Sequence, residues 1–147
     1  MGIITNATRM WLTRSVRPFV FTNEFDSILP YEDCEELGLN IHIPFCRSVK
    51  TLYDEALCGR YADALIQEIR MVGGSGKKSI TSLYFGGGSP ALAAGRLGEI
   101  IAAVQERFTI SEGIGVELHP DDVTVPLLRT LKEAGVTRIS IGVQSFQ

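Results

Sequence analysis

Strand signals and helix signals alternate from Leu39 to the end of the chain, and this alternation limits the fold more than any other feature. Apolar segments of strand length are separated by longer amphipathic segments with helical spacing. The predicted strands are 39–45, 80–85, 114–118 and 138–143, and the predicted helices are 54–71, 91–108 and a third that opens at Asp121 and stops at Gly135. Strands joined by helices imply right-handed crossovers, and therefore a parallel sheet in an α/β fold.

The chain divides into a short N-terminal extension, residues 1–37, and a domain at residues 38–147. The extension has no clean period, and its arginines interrupt the apolar core that a secretory signal requires. We favour a mobile or docked arm over an interfacial segment. Four strands do not close a barrel, so the domain is either a small open sheet or the first part of a larger barrel. An exposed final parallel strand is an aggregation liability, and we therefore favour the truncated larger domain.

Composition excludes several classes of function. The net charge of −3 and the pI near 5.4 provide no basic field for a nucleic acid, and no nucleic-acid motif is present. No apolar run approaches the roughly 18 residues that a membrane span requires. Three cysteines form an odd set without short pairing, so we expect a reduced, cytoplasmic protein and no secreted disulfide framework.

One face of the predicted sheet collects polar side chains from several strands. In the fourth strand the apolar Ile139, Ile141 and Val143 share one face, which should lie under the helices. The opposite face should carry Asn40, His42, Glu117 and Gln144. Ligands of parallel α/β folds bind at the carboxyl ends of the strands, so this polar face predicts a binding site.

A glycine-rich loop, Gly86-Gly87-Gly88-Ser89-Pro90, follows the second strand at once. Glycines permit positive φ and let backbone N–H groups approach an anionic or zwitterionic ligand closely. Ser89 offers a hydroxyl, and Pro90 suits the start of a helix. The alternative is an ordinary tight turn between strand and helix, since a glycine run alone is a weak signal.

Single polar residues on this face also have structural alternatives. Glu117 either binds a ligand amine or hydroxyl or pairs with a neighbouring arginine such as Arg138. Gln144 has a structural hydrogen bond as its alternative, and His42 is more often a hydrogen-bonded core histidine than a ligand. We interpret Cys58 as a small buried residue of its helix.

Four segments occur together and in order, and they carry a resemblance to a known family. They are Ile41-His42-Ile43-Pro44-Phe45-Cys46, the glycine-rich loop, Val116-Glu117-Leu118-His119-Pro120, and the segment Arg138 to Gln147. The combination resembles the radical S-adenosylmethionine (SAM) family of oxygen-independent coproporphyrinogen III oxidase, which also includes haem chaperones and haem-utilisation proteins. The resemblance covers about residues 39–147. It implies that the domain is the first four strands of a partial (β/α)6 barrel.

The resemblance also implies roles for individual residues. The loop from Gly86 to Ser89 would hold the methionine amino and carboxylate end of SAM, with Glu117 and Gln144 as further SAM contacts. Asn40 stands where the family usually has a tyrosine that contacts SAM. Cys46 would be the first ligand of a [4Fe–4S] cluster. The implied small-molecule partner is a tetrapyrrole or haem.

The cluster motif opens at Cys46 but is not completed. The family pattern continues as Cys-x3-Cys-x2-Cys, and the corresponding positions here are Lys50 and Tyr53. These are either substitutions in register or the mark of a short segment lost after Val49. We favour the loss, because the sequence from Lys50 to Glu55 looks like the family sequence just after the cluster loop. One thiolate cannot hold a cluster that needs three.

As written, the chain is therefore not expected to be a competent radical enzyme. Three hypotheses follow. The first is a cluster-deficient relative of an oxidoreductase of porphyrin biosynthesis. The second is a haem-binding chaperone that keeps the scaffold without turnover. The third is a non-catalytic fragment, either SAM-binding or inactive, or a generic α/β ligand-binding domain.

Overall fold

A computed structural model of the chain describes residues 34, 36–46, 54–72 and 77–143. The chain divides into two units, and all of these residues belong to the second, residues 33–147. The expected extension at residues 1–37 lies almost entirely outside the described residues. The same holds for Lys50, Tyr53 and Gln144.

The described strands and helices alternate as the sequence predicts. The strands are β1 (Gly38–Ile43), β2 (Lys78–Gly87), β3 (Phe108–Leu118) and β4 (Arg138–Ile141), and the helices are α1 (Glu55–Met71), α2 (Ala94–Arg107) and α3 (Val125–Glu133). All neighbouring strands pair in parallel, in the order β1-β2-β3-β4. The predicted α/β fold with a parallel sheet is therefore confirmed, and it is consistent with a partial barrel.

Local capping sets the start of α1. The Asp54 carboxylate accepts hydrogen bonds from the backbone N–H groups of Ala56 at 2.9 Å and Leu57 at 3.4 Å. These bonds satisfy two of the donors that the first turn of a helix leaves unpaired. The predicted start of this helix at residue 54 is thus correct to within one residue.

The second predicted helix is shorter in the structure than in the sequence reading. A 3-10 turn at Pro90–Ala93 precedes α2, and β3 already begins at Phe108. The early start makes β3 longer than the predicted strand 114–118. The predicted helix extended to Phe108 because this apolar residue continues the helical spacing. A buried residue at the start of a strand gives the same apolar signal as the last turn of a helix.

The third helix begins later than predicted. Asp121 and Asp122 belong to a separate 3-10 turn, and α3 begins after Thr124, whose hydroxyl accepts a hydrogen bond from the N–H of Leu127 at 3.4 Å. The predicted stop at Gly135 is confirmed. Gly135 has φ +95°, the left-handed conformation that commonly follows a helix C-terminus.

The core lies between the helices and the apolar face of the first three strands. Ile43, Phe85 and Val116 have no exposed surface, and they share one cluster with the buried side chains of all three helices. The apolar face of β4 differs. Ile139, Ile141 and Val143 are 41–50% exposed, so the expectation that they lie under helices is wrong for the described residues. All four residues of this edge strand are exposed.

No helix among the described residues is both long and apolar enough to cross a bilayer.

Candidate functional site

The strand register places the polar face in two rows. In one row Asn40 lies opposite Tyr84, which lies opposite Gly115. In the next row His42 lies opposite Gly86. The predicted convergence of Asn40, His42 and Glu117 on one face is therefore seen, while Gln144 lies outside the described residues. His42 is exposed, so its interpretation as a core histidine is wrong.

The glycine-rich loop packs tightly against the carboxyl end of β1. The Gly88 N–H donates to the Ile43 carbonyl at 2.8 Å. Gly87 has φ +112°, and a Cβ there would lie 2.7 Å from both His42 Nδ1 and the Ile43 carbonyl oxygen. A Cβ on Gly88 would overlap the Phe45 carbonyl oxygen. This backbone-to-backbone approach requires glycine at both positions.

Gly86 has a different role in the same loop. A Cβ at this residue would lie 3.4 Å from Glu117 Oε2 and 3.2 Å from Tyr84 Cε1. Gly86 is itself buried, and its missing side chain lets the Glu117 carboxylate and the Tyr84 ring approach the backbone near the carboxyl end of a central strand. The Glu117 carboxylate suits the ammonium group of a zwitterionic ligand, which a carboxylate binds by charge-assisted hydrogen bonds. The assignment of Gly86, Gly87, Gly88 and Glu117 to a ligand remains a prediction.

Glu117 is half-buried and stands one residue before the end of β3. The register pairs it with Ser140, whereas Arg138 lies opposite Gly115 in the neighbouring row. Within the described part of the chain, no ion pair joins Glu117 to Arg138. The pairing that competed with a ligand role therefore has no support among these residues.

Sequence reasoning missed Tyr84, whose ring lies over two glycines of the polar face. A Cβ on Gly115 would lie 2.8 Å from Tyr84 Cδ2, and a Cβ on Gly86 would meet the opposite edge of the ring. The ring can therefore lie close to the sheet, next to Glu117. The signal was present in the period-2 alternation, which puts Tyr84 on the same face as Gly86. The mostly apolar composition of β2 concealed it.

Ser89 is buried, and its side chain makes no hydrogen bond to the 3-10 turn that it precedes. Its hydroxyl donates instead to Asp122 Oδ2 at 2.7 Å, across 33 positions of sequence. The loop after β2 is thereby joined to the turn after β3. Asp122 was not among the predicted site residues, because no local pattern relates it to Ser89.

The end of β1 is held from the helical side by Tyr61. Its hydroxyl donates to the His42 carbonyl at 2.6 Å, and its ring meets that of Phe45 edge to face at 5.5 Å between centroids. Burial raises the pKa of Tyr61, with the nearby Glu68 adding to the shift. This packing fixes the strand end that contacts the glycine-rich loop.

The three cysteines do not present a common site. Cys46 is half-buried just beyond β1, and Cys34 is exposed. Cys58 is buried in α1 with its Sγ 3.8 Å from the Leu92 carbonyl oxygen, and burial raises the pKa of its thiol. Its interpretation as a buried helix residue is confirmed. Across residues 36–46, 54–72 and 77–143, together with Cys34, no group of three or more His, Cys, Asp or Glu side chains is placed to hold a metal ion.

Comparison with known proteins relates the chain to proteins of haem and porphyrin chemistry. No family model matches it. It is 33% identical to the haem chaperone HemW of Bacillus subtilis over 119 residues, 35% identical to anaerobilin synthase of Escherichia coli O157:H7 over 119 residues, and 33% identical to oxygen-independent coproporphyrinogen III oxidase of Paracoccus denitrificans over 124 residues. These alignments cover 72–75% of the chain and 27–31% of each relative.

A solved structure agrees with the sequence relatives. The fold matches coproporphyrinogen III oxidase (HemN) from Escherichia coli, described as a radical SAM enzyme, with a TM-score of 0.62 and 27% sequence identity. The match covers 76% of this chain and 29% of that protein. The chain thus spans less than a third of the length of the proteins it matches.

Proposed function

We propose that this chain, a relative of the radical SAM coproporphyrinogen III oxidases and haem chaperones, is a SAM-binding α/β domain of haem or tetrapyrrole metabolism. The relatives and the HemN structure confirm the family resemblance that the sequence motifs carry. The observation that carries the proposal is the close approach of the half-buried Glu117 carboxylate to the backbone of Gly86, where an added Cβ would lie 3.4 Å from Glu117 Oε2.

The loop and Glu117 offer complementary groups to the two charges of the methionine end of SAM. The Glu117 carboxylate suits the ammonium group, and backbone N–H groups of a glycine-rich loop suit a carboxylate. We assign the ligand to the segment Gly86, Gly87, Gly88 and Ser89 together with Glu117. The Gly88 N–H already donates to the Ile43 carbonyl, so Gly88 would contact the ligand through its other backbone atoms. SAM would supply a reactive sulfonium at the carboxyl edge of the sheet. Asn40 lies exposed on the same polar face and is proposed as a further, weaker contact.

We further propose that this chain alone does not assemble a [4Fe–4S] cluster. A site-differentiated cluster needs three thiolates, and the sequence contains three cysteines in all. One of them, Cys58, lies inside the helical layer with a raised thiol pKa, which disfavours the thiolate form that binds iron. Cys46 remains the residue at which a cluster would be expected by family. No radical step is assigned to the chain.

Binding of SAM tests the proposal directly. Isothermal titration of the full chain with SAM should give saturable one-to-one binding. Gly87→Ala should weaken it at least tenfold, because the new Cβ would displace the loop from His42 and Ile43. Gly95→Ala is the matched control, since no atom lies within 4 Å of its added Cβ. If Gly87→Ala and Gly95→Ala bind SAM with equal affinity, the glycine-rich loop is not part of the binding site.

Cluster assembly is tested separately. After anaerobic incubation with iron and sulfide, the purified chain should lack stoichiometric iron and the visible absorption of a [4Fe–4S] centre. Cys58→Ala should not alter that result, because its thiol faces the Leu92 carbonyl inside the core. A stoichiometric cluster in the unsubstituted chain would contradict the deficiency.

A second candidate function is haem binding, favoured by the exposed His42 four residues before Cys46. Histidine and cysteine are both axial-ligand types, and the Bacillus subtilis relative is named as a haem chaperone. Optical titration with haem should then saturate at one equivalent, with a Soret shift that His42→Ala abolishes. A linear, unsaturated titration would leave SAM binding as the function. For either function we propose a reducing, cytoplasmic setting, which suits a chain with an odd number of cysteines.

A further inference from the structure

We propose that Asp122 is a positioning residue that holds the glycine-rich loop in its ligand-binding conformation through the hydroxyl of Ser89. The proposal rests on the SAM-binding function above and names a residue that acts on that site without contacting the ligand. It follows from the 2.7 Å hydrogen bond between Ser89 Oγ and Asp122 Oδ2.

The position of Ser89 makes this bond unusual. Ser89 occupies the N-cap of the turn Pro90–Ala93, where a serine side chain ordinarily accepts a hydrogen bond from a backbone N–H of the first turn. No such bond is made here. The local reason for a serine at this position is therefore absent, and its hydroxyl is used for a contact with another segment.

The bond is important for stability because Ser89 is buried. Ser89 is 6% exposed, and Pro90 beside it is fully buried. A buried hydroxyl without a partner is destabilising, so the acceptor on Asp122 stabilises Ser89 in this position. A hydrogen bond to a charged acceptor is also stronger than one between neutral groups.

The bond connects two loops at the same edge of the sheet. Ser89 follows Gly88, whose N–H is bonded to the Ile43 carbonyl at 2.8 Å. Asp122 lies in the turn that follows β3, four positions after Leu118. Glu117 is on β3, so the bond fixes the glycine-rich loop relative to the strand that carries the proposed ammonium-binding carboxylate.

The bond also determines how Ser89 meets a ligand. A serine hydroxyl has one proton, and that proton is donated to Asp122. Towards any other group the oxygen can only accept. Ser89 therefore favours the ammonium end of a methionine-like ligand over its carboxylate.

Hydrogen exchange at single amides tests the loop-holding role without any ligand. Ser89→Ala and Asp122→Ala should each raise the exchange rate of the Gly88 amide about tenfold, which corresponds to about 1.4 kcal/mol for one lost hydrogen bond. At the Gly88 amide the double variant should add little to Ser89→Ala, because the bond between Ser89 and Asp122 is already lost in the single variant. Asp122→Asn, which keeps an acceptor oxygen, should restore most of the protection.

Two matched controls separate this effect from general loss of stability. Asp121→Asn removes a carboxylate charge one residue earlier, and the Asp121 side chain is 91% exposed. Ser111→Ala removes another serine hydroxyl, which bonds the Ile80 carbonyl at 3.3 Å. Neither should change exchange at Gly88. Unchanged exchange at Gly88 in Ser89→Ala and Asp122→Ala would overturn the positioning role, whatever SAM does.

Ligand titration then decides the second half of the proposal. Asp122→Ala should weaken SAM binding about tenfold and leave the binding of methylthioadenosine, which lacks the amino-acid end, unchanged. Equal losses for both ligands would overturn the assignment to the methionine end. No SAM binding by the unsubstituted chain would overturn the proposed function and the ligand named here, while the exchange result would still judge the link between the two loops.

Discussion

Substitution of Gly87 by alanine should destabilise the chain more than its size suggests. Gly87 has φ +112°, a conformation that side-chain-bearing residues rarely adopt, and forcing one into it costs about 1–2 kcal/mol. The added Cβ would lie 2.7 Å from the Ile43 carbonyl oxygen. Backbone atoms of a buried strand cannot yield cheaply, so overpacking adds roughly 1–3 kcal/mol. The expected loss is therefore about 2–5 kcal/mol.

Urea unfolding followed by circular dichroism measures this loss. Gly95→Ala is the control, and it should stabilise the chain by about 0.4–1 kcal/mol, because Gly95 lies in α2 with open space around it. The two variants thus add the same methyl group, and the expected changes in the free energy of unfolding have opposite signs. The urea dependence must stay constant across the set, since a changed slope would indicate a changed unfolded state. A Gly87→Ala loss below about 0.5 kcal/mol would refute the close approach of the loop to β1.

Three further predictions concern the framework that holds the site. Asp54→Ala should lower the free energy of unfolding by about 1 kcal/mol because α1 loses its N-cap, and Asp54→Asn should restore most of it in the same urea assay. Thr137→Val should cost roughly 1–3 kcal/mol, since the Thr137 hydroxyl bonds both the N–H and the carbonyl of Ile114 at 3.0 and 3.2 Å; a neutral result would contradict both bonds. The raised pKa of Tyr61 means that its contribution to stability is fully present below its unfolded pKa, about 10, and is lost as pH rises through the higher folded value. The free energy of unfolding should therefore fall with rising alkalinity above about pH 10, and Tyr61→Phe should make that fall smaller.

Sequence periodicity was sufficient for the fold class and for the two faces of the sheet. Each strand alternates, so His42 and Glu117 could be placed on the polar side from their neighbours alone. Parallel pairing followed from the intervening helices. Both inferences depend only on the spacing of nearby residues, which can be read from the sequence.

Element boundaries and long-range contacts were harder to predict from the sequence. Thr124 was overlooked as the cap of α3 because the acidic pair Asp121-Asp122 also looks like a helix start. The bond from Ser89 to Asp122 joins residues 33 positions apart, and only the packed loops bring them together. Such contacts depend on the register of neighbouring strands, which a single sequence leaves open.

The same register explains why glycines are concentrated on the polar face. His42 lies opposite Gly86, and Tyr84 lies opposite Gly115. Each large side chain thus faces a residue without one, and Tyr84 lies close to the sheet over the gap. A Cβ at Gly86 would lie 3.4 Å from Glu117 Oε2, so a bulky residue there would press against that carboxylate. The glycine-rich loop is therefore one end of a wider pattern of glycines on the polar face, and that pattern reaches the backbone beside Glu117, one residue before the end of β3.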